Sequence, residues 1–230
     1  MIRFDNVCKS FDGKQVLAGV SFSVARGEIL AIVGPSGTGK SVTLKHIVGL
    51  LEPDSGTVTV EDGARIGYLF QGGALLAWLT VRENVSLPLR ETTRLGEDEV
   101  ARLTEEALKA VGLEDSADKY PAEISGGMVK RAGLARAIVR HADAVLYDEP
   151  TSGLDPVTAQ TIHRLIKRLN AEQGLTSLVV THDLAGACSF ADRILLLKDG
   201  RIVLDAAPGK FLESDIPAVR EYVAASKGEL

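Results

Sequence analysis

Gly34-Pro-Ser-Gly-Thr-Gly-Lys40-Ser41 fits the pattern G-x-x-x-x-G-K-[ST], and its flanks give that pattern a mechanism. Before it runs Glu28-Ile-Leu-Ala-Ile-Val33, an apolar run of strand length. After it Val42, Leu44, Ile47, Val48 and Leu51 are apolar, closer to helical spacing than to alternation. A strand, a glycine loop and a helix start, in that order, gather backbone N–H groups around one anion at the positive end of a helix dipole. The residues predicted to cradle it are Gly34, Pro35, Ser36, Gly37, Thr38, Gly39, Lys40, Ser41 and Val42. Lys40 would reach the β- and γ-phosphates of a nucleotide, and Ser41 would ligate Mg²⁺. A glycine-rich turn matches this pattern by chance in roughly one chain of this length in a hundred. The strand and helix on either side make chance rarer still, so the stretch reads as nucleotide-binding.

Working outward, residues 1–24 read as two strands joined at Asp12-Gly13, with Val20, Phe22 and Val24 alternating in the second. Phe11 is either a core residue or a ring that stacks on an adenine base. Downstream, Pro53-Asp-Ser-Gly56 breaks the chain. Thr57–Val60 and Arg65–Phe70 then look like a strand pair joined at Asp62-Gly63, with Gln71 ending the second strand. From Gln71 to about Arg140 the pattern turns helical, with Val100, Leu103, Ala107, Leu108 and Val111 in register and Gly112 as a stop. Ala142–Glu149 restores strand character and ends in two acids, Asp148 and Glu149. Carboxylates at the end of a buried strand need a partner, and Mg²⁺ or its water shell supplies one for Asp148. Asp155-Pro156 reads as an N-cap and first-turn proline, and the apolar stripe Ile162, Leu165, Ile166, Leu169 stops near Gly174. Leu175–Val180 is another strand ending at Thr181-His182-Asp183. Asp192–Lys198 and Arg201–Leu204 read as a hairpin, and Pro208–Leu230 as a helical tail. Strands alternating with helices predict an α/β fold with a mainly parallel sheet.

At 230 residues the chain is long enough for one domain with an inserted lobe. The net charge of −5 gives no electrostatic case for nucleic acid as a partner. No apolar run approaches the length that spans a bilayer, and Met1-Ile-Arg-Phe-Asp lacks a signal peptide's apolar stretch. Cys8 and Cys188 have no metal spacing and read as buried thiols in a reducing compartment, so the expected setting is cytoplasmic. His46, His141 and His163 read as surface or satisfied residues. Lys130-Arg131 and Lys167-Arg168 read as solvated helix faces.

One more motif stands in Ile124-Ser-Gly-Gly-Met128: Ser125, Gly126 and Gly127 open a helix with bare N–H groups and a hydroxyl, a second anion site. Alone it is an ordinary glycine-rich N-cap. Together with the first loop and the acid pair it closely resembles the ATP-binding cassette (ABC) ATPases, over essentially the whole chain and in the family's order. Gly34–Ser41 is similar to the Walker A motif, Gln71 to the Q-loop and Ser125–Gly127 to the signature. Val145–Glu149 is similar to Walker B, Ser152–Asp155 to the D-loop, His182 to the H-loop and Phe11 to the adenine-stacking position.

The resemblance implies a P-loop NTPase cassette with a RecA-like mainly parallel core sheet, an antiparallel β subdomain and an inserted α-helical lobe. On that pattern 1–71 and 141–206 form the catalytic core, 72–140 the helical lobe and 207–230 a C-terminal tail. It also implies ATP and Mg²⁺ as cofactors, with Ser41, Gln71 and Asp148 toward the metal. Two copies would pack head to tail, each ATP lying between Walker A of one and Ser125–Gly127 of the other. Glu149 would be the general base for the attacking water, and His182 would hold the γ-phosphate and position that water. Lys40 would neutralise developing charge. Asp155 would link the two sites, and Gln71 would tie nucleotide state to the helical lobe.

Within the family, Pro35–Leu51, Phe70–Leu75, Leu79–Arg90, Met128 after the signature glycines and Glu213–Tyr222 resemble the maintenance-of-lipid-asymmetry (Mla) transporters. Their ATPases work with a membrane permease and a mammalian-cell-entry (MCE) lipid-binding protein to move phospholipid between bacterial membranes. The implied partners are a permease, an MCE-type protein and a small regulatory subunit, which would hold the chain on the inner face of the cytoplasmic membrane. The stretch from Thr57 to Gln71 is shorter than in most such cassettes, and Ile124 replaces a leucine. Trp78 lies just past the Q-loop, where the family docks its permease, and reads equally as an interface anchor or a core residue. The alternatives are a soluble ABC ATPase of cofactor assembly and a transporter of a non-lipid substrate. A P-loop kinase has no use for Ser125-Gly-Gly.

Overall fold

The computed structural model describes residues 1–228. In chain order the strands are β1 (Ile2–Phe11), β2 (Lys14–Val24), β3 (Ile29–Val33), β4 (Ser55–Val60), β5 (Ile66–Leu69), β6 (Ala144–Asp148), β7 (Thr176–Thr181), β8 (Arg193–Lys198) and β9 (Arg201–Ala206). The helices are α1 (Lys40–Ile47), α2 (Val81–Thr92), α3 (Glu97–Val111), α4 (Gly126–Ile138), α5 (Pro156–Gln173), α6 (Leu184–Phe190), α7 (Pro208–Leu212) and α8 (Pro217–Lys227). Short 3₁₀ turns at Glu114–Ser116 and Pro121–Glu123 lead into α4. These elements form two units, residues 1–63 with the chain from Thr176 onward, and residues 64–175.

In the first unit β2, β1 and β4 make an antiparallel sheet in that order. Its inward side chains alternate along β2, as the sequence pattern predicts, and Phe4 stacks on Phe22 with ring centroids 4.6 Å apart. The same unit holds β7, β3, β8 and β9 side by side. β3 runs parallel to β7 and β8, and β9 returns antiparallel along β8. Every residue of β3 and β7 is buried. That is why both read as continuous apolar runs rather than alternation. Glu28 stays outside β3; its carbonyl accepts the Ser177 N–H at 2.8 Å. The tail folds as α7 and α8, burying Phe211, Val219 and Val223; Glu229 and Leu230, part of the predicted tail, lie outside the described residues.

In the second unit β5 pairs with β6 in parallel. The expected hairpin between Thr57–Val60 and Arg65–Phe70 does not form, because β4 pairs with β1 instead. A local Asp-Gly turn signal cannot reveal whether the flanking strands prefer each other or distant partners. Around β5 and β6 the helices form as predicted. Thr80 and Glu83 cap α2 reciprocally. α3 buries Val100, Leu103, Leu108 and Val111, each contributing about 1.5–3 kcal/mol, and ends on left-handed Gly112. Asp155 accepts the N–H groups of Val157 and Thr158, both at 3.0 Å, to start α5 before Pro156.

Candidate active site

In the first unit the chain leaves the buried strand β3 and turns at Gly34, where φ is 156°. A Cβ there would sit 2.2 Å from the Leu197 carbonyl oxygen, so only glycine fits. Thr38 Oγ1 donates to the Pro35 carbonyl at 2.9 Å and closes the loop on itself. Lys40 is buried, and its ammonium donates to the Gly34 and Pro35 carbonyls at 2.8 and 3.0 Å. Left-handed Gly39 precedes α1, no side chain among the described residues caps that helix, and its first turn carries no acid. The helix start therefore presents backbone N–H groups and a lysine, with no acid in its own first turn, which suits an anion such as a polyphosphate. Pro35, Ser36 and Gly37 face solvent, while Ser41 and Val42 are half-buried. Phe11 is 40% exposed with the Lys9 ammonium 5.5 Å from its ring centroid, which removes the core reading. His182 follows β7 and is exposed.

Sequence reasoning missed Tyr222. Its hydroxyl accepts the Gly34 N–H at 3.2 Å and donates to the His182 carbonyl at 3.1 Å. The C-terminal helix thereby holds the two loops of this unit on which nucleotide residues were predicted. No local signal marks this residue, because its partners lie 188 and 40 positions away.

In the second unit Asp148 ends β6 and is buried, accepting the Tyr68 hydroxyl at 3.1 Å. Burial, with the Asp148 charge and hydrogen bond, pushes the Tyr68 hydroxyl far above its usual pKa, so it stays a donor. Glu149 adopts a left-handed backbone, φ 48°, a strain on the order of 1–2 kcal/mol for a residue with a Cβ. Its carbonyl accepts the Ser152 N–H at 3.2 Å, the Ser152 hydroxyl at 3.0 Å and the Lys130 ammonium at 3.2 Å. The Gln71 side chain is exposed, but its carbonyl also accepts from Lys130. Ser125 caps α4 by accepting the Met128 N–H at 3.3 Å. A Cβ on Gly127 would meet Thr158 at 2.4 Å, so glycine is what lets the starts of α4 and α5 approach each other. This brings Ser125, Gly126 and Gly127 beside the loop of Asp155. The Asp155 carboxyl sits below its usual range because Thr158 hydrogen-bonds it.

The expectation of a solvated Lys130-Arg131 face is wrong. Lys130 is buried, and Arg131 donates to the Val111 and Gly112 carbonyls at 2.9 and 2.7 Å. Burial lowers the Lys130 pKa, while the Glu149 and Asp148 carboxylates oppose that shift. Lys167 and Arg168 do face solvent. His46 is buried, with Nδ1 2.7 Å from the Val42 carbonyl and no partner for Nε2 among the described residues. His163 is buried as well, and of these three histidines only His141 is exposed. Cys8 and Cys188 are half-buried rather than buried. Trp78 is 72% exposed, so it is not a core residue. Its loop is fixed by Asn84, whose amide accepts the Leu76 N–H at 2.7 Å and donates to the Leu76, Leu79 and Thr80 carbonyls, each at 3.0 Å. In the same unit Tyr68, Phe70, Leu87, Pro88, Arg136 and Arg140 line a groove of about 480 Å³.

Residues 17–152 match the ABC transporter family. The chain is 36% identical to the intermembrane phospholipid transport system ATP-binding protein MlaF of Haemophilus influenzae, covering 100% of this chain and 91% of the relative. It is 43% identical to the aliphatic sulfonates import ATP-binding protein SsuB of Cupriavidus necator over 86% of this chain, spanning 66% of that relative's length. A dimeric ATP-binding cassette solved in a post-hydrolysis state with ADP and Pi superposes with a TM-score of 0.82 at 35% identity, covering 90% of this chain and 99% of that one. The chain belongs to the ABC transporter family: it is an ATP-hydrolysing cassette with ATP and Mg²⁺ as cofactors, of the kind that dimerises and serves membrane permease subunits.

Proposed function

We propose that this cassette drives phospholipid transport between membranes by closing on ATP as a head-to-tail homodimer and moving a bound permease. The observation that carries this reading is the end-to-end similarity to an intermembrane phospholipid transport ATPase, 100% of this chain against 91% of that one. Lys40 and the N–H groups at the start of α1 bind the phosphates, with Phe11 against the base. Ser41, Gln71 and Asp148 hold Mg²⁺, which neutralises charge on the phosphates. Glu149 takes the proton of the attacking water while His182 positions it. Ser125, Gly126, Gly127 and Asp155 serve the partner copy's nucleotide. In this reading 1–71 and 141–206 work as the catalytic core, 72–140 as the signature lobe and 207–230 as the tail.

The permease docks at the groove lined by Phe70 and on the exposed Trp78. An exposed tryptophan on a loop already fixed by Asn84 is a preorganised anchor. Arg65, Arg136 and Arg140 against Glu91 give the groove a positive balance, which fits a cytoplasmic helix with acidic side chains. An MCE-type lipid-binding protein and a small regulatory subunit complete the assembly. No helix among the described residues is long and apolar enough to cross a membrane, so contact with the bilayer comes through the permease.

Affinity capture from gently solubilised membranes, with mass spectrometry of proteins and lipids, tests this. Recovery of a permease, an MCE-type protein and co-purifying glycerophospholipid is expected. A permease recovered with a periplasmic solute-binding protein and no lipid would discard the lipid substrate. It would favour import of a small solute, the second reading, which the sulfonate-import relative supports.

A further inference from the structure

We propose that Lys130 is a positioning residue for hydrolysis: by holding the Gln71 and Glu149 carbonyls on one ammonium, it ties the Q-loop to the backbone that presents the general base. This role depends on the reading of Glu149 as that base. An ammonium has three N–H donors. Here they meet three acceptors: the Gln71 carbonyl, the Glu149 carbonyl at 3.2 Å and the Ser152 hydroxyl at 3.3 Å. The group is 6% exposed, so each of these bonds replaces water that the site excludes. A buried cation with all three donors engaged cannot release one acceptor without leaving a donor stranded, so its acceptors move together or not at all.

Each acceptor belongs to a different functional stretch. Gln71 begins the segment that continues to Gly73 and Ala74, whose carbonyls take Arg136 at 2.9 and 2.7 Å. α4 thus grips this segment at both ends through Lys130 and Arg136. Glu149 sits in a backbone conformation that a residue with a Cβ avoids, and such strain persists only where neighbours over-determine it. Lys130 and Ser152 are two such neighbours. A shift of the Q-loop would pull on Lys130 and loosen the carbonyl that keeps Glu149 in place. This is a route within one chain from the groove beside Phe70 to the hydrolytic carboxylate.

Purified full-length protein carrying Lys130→Met, Lys130→Arg, Glu149→Gln or Lys130→Met with Glu149→Gln tests this by steady-state ATPase assay and fluorescent-nucleotide titration. Lys130→Met is expected to lower kcat about 10- to 100-fold, the cost of a base misplaced by about an ångström, with nucleotide affinity within about threefold of wild type. Lys130→Arg, which keeps the charge and the donors, is expected to recover most of the rate. Adding Lys130→Met to Glu149→Gln is expected to change the residual rate little, because the two act in series. Unchanged kcat in Lys130→Met, or the same fold loss on the Glu149→Gln background, would overturn the role. So would a parallel loss of affinity and rate that Lys130→Arg does not repair, since that is a folding defect. Wild-type turnover in Glu149→Gln would instead remove the base reading itself, a result distinguishable from the others.

Discussion

Lys40 and Lys130 are the same side chain in similar settings, one in each unit of the chain. Each is 6% exposed, each projects from a helix, and each gives its ammonium to main-chain carbonyls. What separates them is the distance along the chain to those carbonyls. Lys40 bonds residues five and six positions before it, inside one loop. Lys130 bonds residues 59, 19 and 22 positions away. The first lysine shapes, through these two bonds, the loop from which it projects. The second joins stretches that the fold alone brings together. Local placement favours a role in affinity, and long-range placement favours a role in rate.

The largest expected effect tests the rate side of that contrast. Glu149→Gln removes the proposed proton acceptor without changing size, and it should cut kcat about 10²- to 10⁴-fold while ATP still binds and promotes dimerisation. Size-exclusion chromatography with ATP, alongside phosphate release, reads both. Should turnover persist, Lys130 would have no base to position, and its three bonds would be structural only.

Lys40→Ala tests the affinity side. Losing a charge-assisted bond to phosphate costs about 1.5–3 kcal/mol, or about 10- to 100-fold in nucleotide affinity. Titration with a fluorescent ATP analogue measures this directly. If Lys40→Ala and Lys130→Met both altered affinity and spared rate, the contrast between the two lysines would collapse.

The same contrast explains what was legible in the sequence. Whatever is settled within a few residues could be read: the strand–loop–helix turn at Gly34–Ser41, the Asp155-Pro156 helix start, the Gly112 stop, and the β8–β9 return at Asp199-Gly200. Where distant partners decide, the reading failed. Ser55–Val60 pairs with β1 rather than with its sequence neighbour across an Asp-Gly turn. Lys130 was assigned to solvent because α4 offers no stripe to contradict that. Its buried positions Gly127, Lys130, Ala132, Gly133, Leu134, Ala135 and Ile138 run around most of the helix, and most are small. A helix covered on most sides gives periodicity nothing to separate, so the one buried cation among small residues looks like any surface lysine. The exposure of Trp78 and Phe11 was left open for a related reason, since a lone aromatic carries no pattern.

Tyr222 extends the contrast into the first unit, because there too a distant residue reaches the loop that begins at Gly34. Its hydroxyl serves the Gly34 N–H and the His182 carbonyl at once, and Tyr222→Phe deletes a donor and an acceptor while keeping the ring. The buried Gly34 N–H then lacks this partner, a cost of about 1 kcal/mol. For a chain of this size that should lower Tm by about 2–4 °C in differential scanning fluorimetry. Glu221→Gln, which breaks the neighbouring exposed contact to Lys198, serves as the comparison and should move Tm less. The rate should change little if Tyr222 only holds the loops, because neither Gly34 nor His182 loses its own side chain or backbone group. A drop in kcat approaching that of Lys130→Met, with Tm unchanged, would put Tyr222 in the same class as Lys130. It would also extend the rule to both units: in each, the residue that sets the rate is bound from far along the chain.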